Sequence, residues 1–595
     1  MRPDPTPTGR PPIAAGTVGA TTDPRGARFE AIQADGVFDV IVVGGGINGS
    51  GVFRELALQG LRVLLVERVD FCSGCSAAPS RMIHGGLRYL ENGEFDLVRE
   101  SLRERDALLR NAPHMVKPLP TVVPIMSVFS GLLNSAASFF HVSSRPARRG
   151  AVPVRIGLGI YDWVSRTRRT MPRHRFLGAR AAFRSWPKLT PRMRFAAVYH
   201  DAWISYPERL GVELILDACR SSPESVALNY SEIAVDGSGS GFVVTDSETG
   251  TRHPVTAKAV VNATGAWLDE SLSELVPAAQ VPDQLVEGTK GSHLVLENPE
   301  LFEALNGHMV YFDNSDGRVC VVFGYLGRVL AGSTDIKVER AERVRCEDDE
   351  RDYILGSLRL VFPGVELSVD QIVSSFSGIR PLLKSAHDYT GRITRGHDVR
   401  RIEGDAPTFC MIGGKWTTFR AFAEDTTDEV LAELGRERTV STVELGIGGG
   451  RGFAGAAELE RELVREWSVS AERAAHLVDA YGTRAGEVMA FCTERADDLP
   501  IGIGIQLTAA EIAFFVQREH ATRLSDLIMR RTAIVITGTI DAELIEAIAA
   551  AAAAELGWSD ERRRAEIDEL VADLENYHGV DHDALERRTK ERTTV

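Results

Sequence analysis

The sequence predicts an α/β protein in which a Rossmann-like domain is interleaved with an antiparallel-sheet substrate domain and followed by a C-terminal α-helical domain. Three observations predict it. A glycine-rich turn lies between two short apolar runs that begin near residue 40. Short β-branched runs separated by turn residues recur between about residues 240 and 335. From about residue 455, apolar residues repeat at three- and four-residue spacing. The length of 595 residues fits two or three domains.

The composition is that of an ordinary globular protein, with 44% hydrophobic and 25% charged residues. The net charge of −15 argues against a nucleic-acid surface, which requires a basic face. Seven cysteines do not suit a disulfide framework and indicate a reducing, cytoplasmic setting. Cys72 and Cys75 form a lone CxxC pair, which we expect to be unreactive loop thiols, although a redox role is open. No metal site is expected.

The chain is predicted to divide into three segments. Residues 1–36 contain six prolines and few large apolar side chains, which predicts a disordered tail without a signal peptide. Residues 37–435 are predicted to hold the nucleotide-binding domain with the substrate domain interleaved; one of the substrate-domain strands is expected at "FVVTD". Residues 436–595 are predicted to form the helical domain, which is a cover or an assembly surface. We expect a homo-oligomer.

A dinucleotide site is predicted at "FDVIVVGGGINGSGVFRELALQGLRVLLVER", residues 38–68. Gly44, Gly46 and Gly49 fit the GxGxxG pattern between a strand and a helix, and Glu67 ends the next apolar strand. The glycines would let the backbone approach a pyrophosphate at the helix N-terminus, and Glu67 would accept hydrogen bonds from ribose hydroxyls. An acidic residue at that place favours NAD or FAD over NADP. The alternative is a glycine-rich turn without function.

Two later strands are expected to end beside the same cofactor. "AKAVVNATGAW" runs into Ala263, Thr264 and Gly265, and "FCMIGGKWTTFR" runs into Gly413 and Gly414 before a helix begins. The second turn could place backbone amides against a flavin. The alternative is two unrelated strand-to-helix turns.

These pieces together resemble the FAD-dependent glycerol-3-phosphate dehydrogenases, which include the related glycerophosphate oxidases and belong to the D-amino-acid-oxidase-like fold group. The resemblance runs from about Phe38 past Thr532. It depends on the separated motifs "VVGGGINGSG", "IHGGLRYLENGEFDLV", "NATGAW", "KGSHLVL", "GSTD", "SGIRPL", "GGKWTTFR" and "LSDLIMRRT". Two features depart from the family: the usual Ser/Thr-rich run reads "CSGCSAAPSRM", and residues 127–150 look like an insertion.

The resemblance implies FAD as the cofactor. It also implies a set of cofactor contacts: Gly44, Gly46, Ile47, Asn48, Gly49, Glu67, Arg68, Ser76, Ser80, Gly85, Gly86, Ala263, Thr264, Gly265, Gly414, Lys415 and Thr417. Gly85 and Gly86 are expected to let the backbone pass close to the flat ring, where a Cβ would clash.

The implied reaction oxidises the C2 alcohol of sn-glycerol 3-phosphate to dihydroxyacetone phosphate, with a hydride passing to flavin N5 and electrons passing on to a quinone-type acceptor. Cations for the substrate phosphate are expected from Arg88, Arg380 and Lys415, because arginine offers a planar fork of donors and lysine a compact charge. Each of them taken alone is more often a surface ion-pair residue. Tyr89 and Thr334 are expected to donate to substrate oxygens.

The proton acceptor is expected to be His84 or His293, since histidine is the side chain that titrates closest to working pH. Nearby cations would lower the pKa of such a histidine and keep it neutral. The alternative for either histidine is a buried residue of the core. His84, His293, Arg380 and Lys415 are therefore the predicted catalytic residues.

Residues 118–144 contain no formally charged side chain, and arginines follow them. This pattern favours peripheral contact of residues 127–144 with the anionic inner leaflet of a membrane over a buried strand and loop. Other functions stay open at this stage: an oxidase that uses oxygen, a flavin oxidase of an amine or 2-hydroxy acid, and an FAD-holding module without turnover.

Overall fold

The computed structural model describes residues 23–86, 94–127, 151–164, 171–237, 241–277, 280–282, 284–314, 316–384 and 395–594. The helices are α1 Pro24–Ala34, α2 Ile47–Leu58, α3 Phe95–Asn111, α4 Ala151–Val164, α5 Ala179–Ser185, α6 Pro207–Ser221, α7 Leu268–Leu275, α8 Pro299–Leu305, α9 Asp348–Val361, α10 Phe419–Glu433, α11 Ala456–Trp467, α12 Ala471–Tyr481, α13 Ala485–Thr493 and α14 Ala509–Arg518. A helical turn Leu524–Asp526 continues as a π-helical turn, Leu527–Arg531. The last helices are α15 Ala542–Leu556, α16 Asp560–His578 and α17 His582–Thr594.

The strands are β1 Val37–Val43, β2 Val63–Val66, β3 Met82–Ile83, β4 Val116–Ile125, β5 Arg175–Gly178, β6 Phe195–Ile204, β7 Val226–Leu228, β8 Ser231–Val235, β9 Phe242–Asp246, β10 Arg252–Asn262, β11 Val286–Leu296, β12 Met309–Asp313, β13 Val319–Tyr325, β14 Arg328–Gly332, β15 Ile336–Val338, β16 Ile372–Leu383, β17 His397–Ile402 and β18 Thr408–Gly413.

The first sheet has the order β17-β18-β10-β1-β2-β7 and is parallel from β18 to β7. Its strands come from three separate parts of the chain. Because parallel strands end at the same edge of a sheet, the segments that follow β1, β2, β10 and β18 meet there, which is where open α/β sheets bind ligands. The predicted Rossmann-like domain is confirmed.

The second sheet contains ten strands in the order β15-β11-β14-β13-β12-β4-β6-β3, with β16 beside β11 and β5 beside β6. Most of its pairs are antiparallel, and β12 with β4 is parallel. The chain enters this sheet twice between visits to the first sheet, so the two domains are interleaved as predicted. The prediction that "FVVTD" forms a strand of this second sheet is wrong. These residues form β9, which pairs with β8 and β10 in the first sheet.

The N-terminal tail is not disordered throughout. Residues 24–34 form α1, in which Asp23 caps the helix and Pro24 occupies the first turn, where its missing N–H costs nothing. Phe29 and Ile32 are buried against the first sheet, so two apolar side chains on one face are enough to hold this helix. Residues 1–22 of the predicted tail lie outside the described residues.

The helices after residue 455 share one large core, which confirms the predicted C-terminal helical domain. Arg209 on α6 joins this domain to the first one through two parallel hydrogen bonds to Glu519, each 3.0 Å long. Both side chains are almost inaccessible to solvent. A paired charge of this kind fixes how the two domains meet, because either partner alone would be a buried, uncompensated charge.

Among the described residues, no helix combines the length and apolar character that crossing a membrane requires. Residues 128–150, which carry most of the predicted membrane contact, lie outside the described residues.

Candidate active site

A cavity of about 900 Å³ lies along the carboxyl edge of the first sheet. Its walls include the glycine turn after β1, the 73–78 segment, the turn after β10 and the Gly413–Trp416 turn after β18. The two later strands therefore do end beside the glycine turn, as the sequence predicted. The volume lies in the range of ligand sites.

The glycine turn has the close backbone approach that a pyrophosphate site needs. Gly44 has a φ of +98°, and a Cβ there would lie 2.9 Å from the carbonyl carbon of Ala263. A Cβ at Gly49 would lie 1.8 Å from the Gly44 carbonyl oxygen. Neither position can hold a larger residue without moving the backbone. The N-terminus of α2 thereby opens into the cavity, where the helix dipole suits an anion.

Glu67 is held rigidly at the end of β2. Its carboxylate accepts the Gly45 N–H at 2.7 Å and the Val69 N–H at 2.9 Å. Burial raises the pKa of Glu67, and these backbone hydrogen bonds oppose that shift. The neighbouring Arg68 lies over the Trp267 ring, 4.7 Å from its centre. Glu67 and Arg68 both line the cavity. The Glu67 carboxylate is therefore a fixed hydrogen-bond acceptor at the position where ribose recognition is expected.

Ser76 fixes the 73–78 segment against the glycine turn. Its hydroxyl oxygen accepts the Ile47 N–H at 2.9 Å, and its carbonyl accepts the Trp416 indole N–H at 3.1 Å. Ser80 points elsewhere: its hydroxyl is hydrogen-bonded to Nε2 of His293 at 2.8 Å, and Ser80 does not line the cavity. The predicted cofactor contact is therefore wrong for Ser80.

The turn after β18 closes the other end of the cavity. Gly413 and Gly414 have φ angles of +79° and +85°, which only glycine adopts without strain. A Cβ on Gly414 would also lie 2.8 Å from the Phe422 ring. Asn48 lies beside this turn, and its side-chain oxygen is buried without a hydrogen-bond partner. An acceptor left unsatisfied inside a cavity indicates a missing donor from a ligand.

Gly85, Gly86 and Thr417 do not line the cavity. A Cβ on Gly85 would lie 2.2 Å from the Tyr161 hydroxyl oxygen. The Gly85 N–H donates to Asp201, and the Thr417 hydroxyl oxygen accepts the His84 N–H at 3.2 Å. These hydrogen bonds hold the histidine segment in place, and the predicted contact of Gly85 and Gly86 with the flat ring and of Thr417 with the cofactor stays a prediction. Thr264 lines the cavity, but its hydroxyl bonds to Asn262.

Positive charge gathers near the Gly413–Trp416 end. Arg380 and Arg395 both pair with Asp335, at 3.3 and 3.8 Å. A Cβ on residue 291 would lie 1.9 Å from the Arg380 guanidinium, so Gly291 makes room for this side chain. Both arginines also act electrostatically on Cys75, which lines the cavity. The pair therefore lies close to the cavity.

Sequence reasoning missed Arg395. It stands in "GRITRGHD", where no motif of the family resemblance falls, and only the fold brings it to the Asp335 carboxylate. Arg88 and Tyr89, predicted to bind the substrate, lie outside the described residues.

Lys415 and His84 titrate unusually for their residue types. Burial lowers the pKa of Lys415 to about 7; Glu100 and Glu94 oppose that shift, and Arg395 adds to it. Its ammonium donates to the Ser101 hydroxyl at 2.5 Å. Burial also lowers the pKa of His84 to about 3, and the charges of Lys415, Arg395 and Arg105 add to the shift. His84 is therefore neutral, as predicted, but it is a weak base.

His293 lies in the protein core. It has no exposed surface, its ring stacks on Phe376 at 4.9 Å, and a Cβ on Gly332 would lie 2.4 Å from it. Burial holds its pKa well below the usual range, with Arg380 and Arg81 adding to that shift. His293 does not line the cavity and its full burial fits the core alternative, so its role as a proton acceptor stays a prediction.

Thr334 also departs from its predicted role. Its hydroxyl donates to Glu350 at 2.7 Å and accepts the Ser292 N–H at 2.9 Å. The side chain is buried and its only proton is already in use, so it is not placed to donate to a substrate.

Cys72 is buried, and Cys75 is half-buried in the cavity wall. Burial raises the pKa of both Cys72 and Cys75, and both are free cysteines. A thiol kept protonated is a poor nucleophile, which agrees with the expectation of unreactive side chains.

Comparison with known proteins assigns the family. The model described as "FAD dependent oxidoreductase" matches residues 39–427, and that of the "C-terminal domain of alpha-glycerophosphate oxidase" matches residues 440–563. A glycerol-3-phosphate dehydrogenase of Synechocystis sp. is 34% identical over 90% of this chain and 95% of its own. The chain belongs to the FAD-dependent glycerol-3-phosphate dehydrogenase family. A D-erythritol 1-phosphate dehydrogenase of Brucella abortus is 30% identical over 83% of this chain and 94% of its own.

The fold is shared with the glycerol-3-phosphate dehydrogenase of Bacillus halodurans complexed with FAD, at a TM-score of 0.72 and 24% identity, covering 94% of this chain and 99% of the other. FAD is the cofactor. The glycine turn, the fixed Glu67 carboxylate and the unsatisfied Asn48 oxygen all line a cavity of fitting size, so the residues present suit this cofactor.

A His293→Gln substitution is expected to destabilise the protein without changing its chemistry. Loss of the stacked ring and the Ser80 hydrogen bond should lower the thermal unfolding midpoint by about 2–6 °C. The rate of flavin reduction and its pH profile should stay unchanged, because the His293 ring is fully buried and stacked on Phe376. The matched control is His114→Gln. It removes another buried histidine, whose Nε2 is hydrogen-bonded to the Glu213 carboxylate at 3.1 Å. If His293→Gln lowers the rate of flavin reduction about a hundredfold and His114→Gln does not, this assignment is contradicted.

Proposed function

We propose that the protein oxidises sn-glycerol 3-phosphate to dihydroxyacetone phosphate and passes the electrons to a quinone-type acceptor. Bound FAD supplies the hydride acceptor, at flavin N5. The observation that carries the proposal is the pair of Arg380 and Arg395, whose charges act on Cys75 in the wall of the FAD cavity that Lys415 also lines. The names of the relatives support the same substrate.

Phosphate recognition follows from the arginine pair. Asp335 lies between the two guanidinium groups and cancels one of their two charges. Arg380 also donates to the Ser333 hydroxyl at 3.0 Å, which orients its planar fork. An oriented guanidinium binds phosphate oxygens in a bidentate manner and loses little conformational entropy in doing so. Arg88 is proposed to complete this site.

Lys415 is proposed as the group that takes the proton of the C2 hydroxyl. A base works best when its pKa is close to the working pH, and the pKa of Lys415 is about 7. The pKa of His84, about 3, is too low for that role in the free protein. His84 instead offers a neutral ring that can hydrogen-bond the substrate. A bound phosphate dianion would raise both pKa values, because it offsets the surrounding positive charge.

A second candidate substrate is a longer phosphorylated polyol. The relative from Brucella abortus is a D-erythritol 1-phosphate dehydrogenase and is nearly as similar to this chain as the glycerol-3-phosphate dehydrogenases are. The two substrates share a phosphate and a neighbouring secondary alcohol, so the same cations would serve both. The difference would lie in the room left for one more carbon.

Oxygen is the alternative electron acceptor, as in the related glycerophosphate oxidases. The quinone-type acceptor fits a cytoplasmic protein that touches the membrane from its cytoplasmic face through residues 127–144, and both statements are proposals. An amine or a 2-hydroxy acid is less suited, since a carboxylate needs only one arginine and two, Arg380 and Arg395, lie together on Asp335.

Anaerobic mixing with glycerol 3-phosphate tests the proposal. The flavin absorbance of the FAD-loaded protein is expected to bleach with glycerol 3-phosphate and to stay unchanged with glycerol, which lacks the anion that the arginines bind. Erythritol 1-phosphate is the comparison for the second candidate. Adding a quinone analogue or air to the reduced protein then shows which of them restores the absorbance. Absence of bleaching with every phosphorylated polyol would refute the proposal.

The pH dependence distinguishes a base from a cation at Lys415. If Lys415 acts as the neutral base, kcat/KM for flavin reduction rises as pH increases through about 7, since the amine must lose its proton first. If it only supplies positive charge, kcat/KM falls over the same range. Measurements between about pH 6.5 and 9 avoid the second ionisation of the substrate phosphate, near pH 6.

The matched variants are Lys415→Met, which removes the amine, and Lys415→Arg, which keeps the charge but cannot act as a base. Both are expected to lose a factor of about 10² to 10⁴ in rate. A Lys415→Arg variant that keeps the rate of the unmodified protein would exclude the base role.

A further inference from the structure

The C-terminal helical domain takes part in the wall of the FAD cavity. Arg523, Met529 and Arg530 line the same cavity as Glu67 and Arg68. Three of these five residues come from the domain in which the sequence shows no catalytic constellation. A domain that served only as an assembly surface would not need to reach the cofactor.

The contact between this domain and the nucleotide-binding domain is centred on Asp70, three residues after Glu67. Asp70 has no exposed surface. Its carboxylate accepts hydrogen bonds from Arg531 at 2.7 and 3.1 Å, from Arg530 at 2.6 Å and from Asn229 at 3.1 Å. Two arginines of one domain thus converge on a single carboxylate of the other.

This convergence requires an unusual backbone. Arg530 and Arg531 are adjacent in sequence, and adjacent side chains of an α-helix do not face each other. Here the turn Leu527–Arg531 is π-helical, and Thr532 after it is extended. Wider turns of this kind occur frequently at functional sites. The backbone is therefore shaped so that both guanidinium groups reach Asp70.

The charges in the contact are balanced. Arg530 also donates to Asp526 at 2.6 Å, so two arginines meet two aspartates, and Arg531 donates in addition to the Glu519 carbonyl at 2.7 Å. This cluster of buried charges is stable only when all four side chains are present. If one of them is lost, its partner becomes an uncompensated charge that water cannot solvate. The two domains are expected to hold this contact completely or to lose it as a unit.

The same short segment also carries the cofactor contacts. The Glu67 carboxylate accepts the Gly45 and Val69 N–H groups, and the Glu67 carbonyl accepts the Ser231 N–H at 2.9 Å. Asp70 lies three residues further along the chain. A shift of Asp70 therefore reaches Glu67 and the glycine turn through three residues of backbone.

We infer that the C-terminal domain forms a second wall of the FAD site and that Asp70 is the positioning residue that holds this wall closed. Docking of the domain and retention of FAD are then coupled. Coupling of this kind is reciprocal: the docked domain slows the release of FAD, and bound FAD stabilises the docked domain. The inference needs only the FAD site and is independent of the substrate.

The experiment compares Asp70→Asn with Glu511→Gln. Glu511 is equally buried and pairs with Arg473 and His476 inside the C-terminal domain, but it does not line the cavity. Release of FAD from each loaded protein is followed by flavin fluorescence after dilution, at a temperature well below unfolding. Asp70→Asn is expected to release FAD about tenfold faster or more, within the range usual for coupled sites, and Glu511→Gln at the rate of the unmodified protein, although both lower the unfolding midpoint.

Hydrogen exchange gives a second readout that does not depend on activity. Adding FAD to the apoprotein is expected to slow amide exchange in residues 524–532 in the unmodified protein and in Glu511→Gln, but not in Asp70→Asn. Arg531→Lys keeps the charge and loses the planar fork, so it serves as a milder variant if Asp70→Asn does not fold. The inference is overturned if neither Asp70→Asn nor Arg531→Lys changes FAD release, or if Glu511→Gln speeds it equally.

Discussion

Exclusion of water from a group of like charges is the constraint on which the active site depends. Lys415 lies near Arg395, and burial has lowered its pKa to about 7, even though Glu100 and Glu94 favour its charged form. In water the same amine would hold its proton three pH units higher. Burial therefore converts an ordinary ammonium group into one that can exchange a proton at neutral pH, near the arginine pair.

The fold provides this environment through the meeting of its two sheets. The glycine turn after β18 delivers Lys415 from the parallel sheet, whereas Arg380 projects from β16 of the antiparallel sheet. Neither sheet alone could place both. Glu67 marks the other end of the cavity, where two backbone N–H groups fix its carboxylate and the C-terminal domain adds a further wall.

Features set by local chemistry were predictable from the sequence. The positions of Gly44, Gly49 and Glu67 follow from strand, turn and helix signals within about thirty residues, and the structure has that strand, helix and second strand. Features set by long-range contacts were not. Arg395 reaches Asp335 only through the folded sheet, and Arg531 reaches Asp70 across 461 positions of sequence. The burial of His293 and the engaged hydroxyl of Thr334 were not predictable for the same reason, since motif context cannot show what surrounds a side chain.

The pKa of Lys415 is the most direct test of this account. It can be measured from the chemical shift of the side-chain nitrogen in protein labelled with ¹⁵N-lysine and loaded with FAD, titrated without substrate, with the signal assigned by its absence from Lys415→Arg. The account predicts a midpoint near 7. A midpoint near the ordinary lysine value of about 10.4 would show that the site is open to water, and would contradict the central claim.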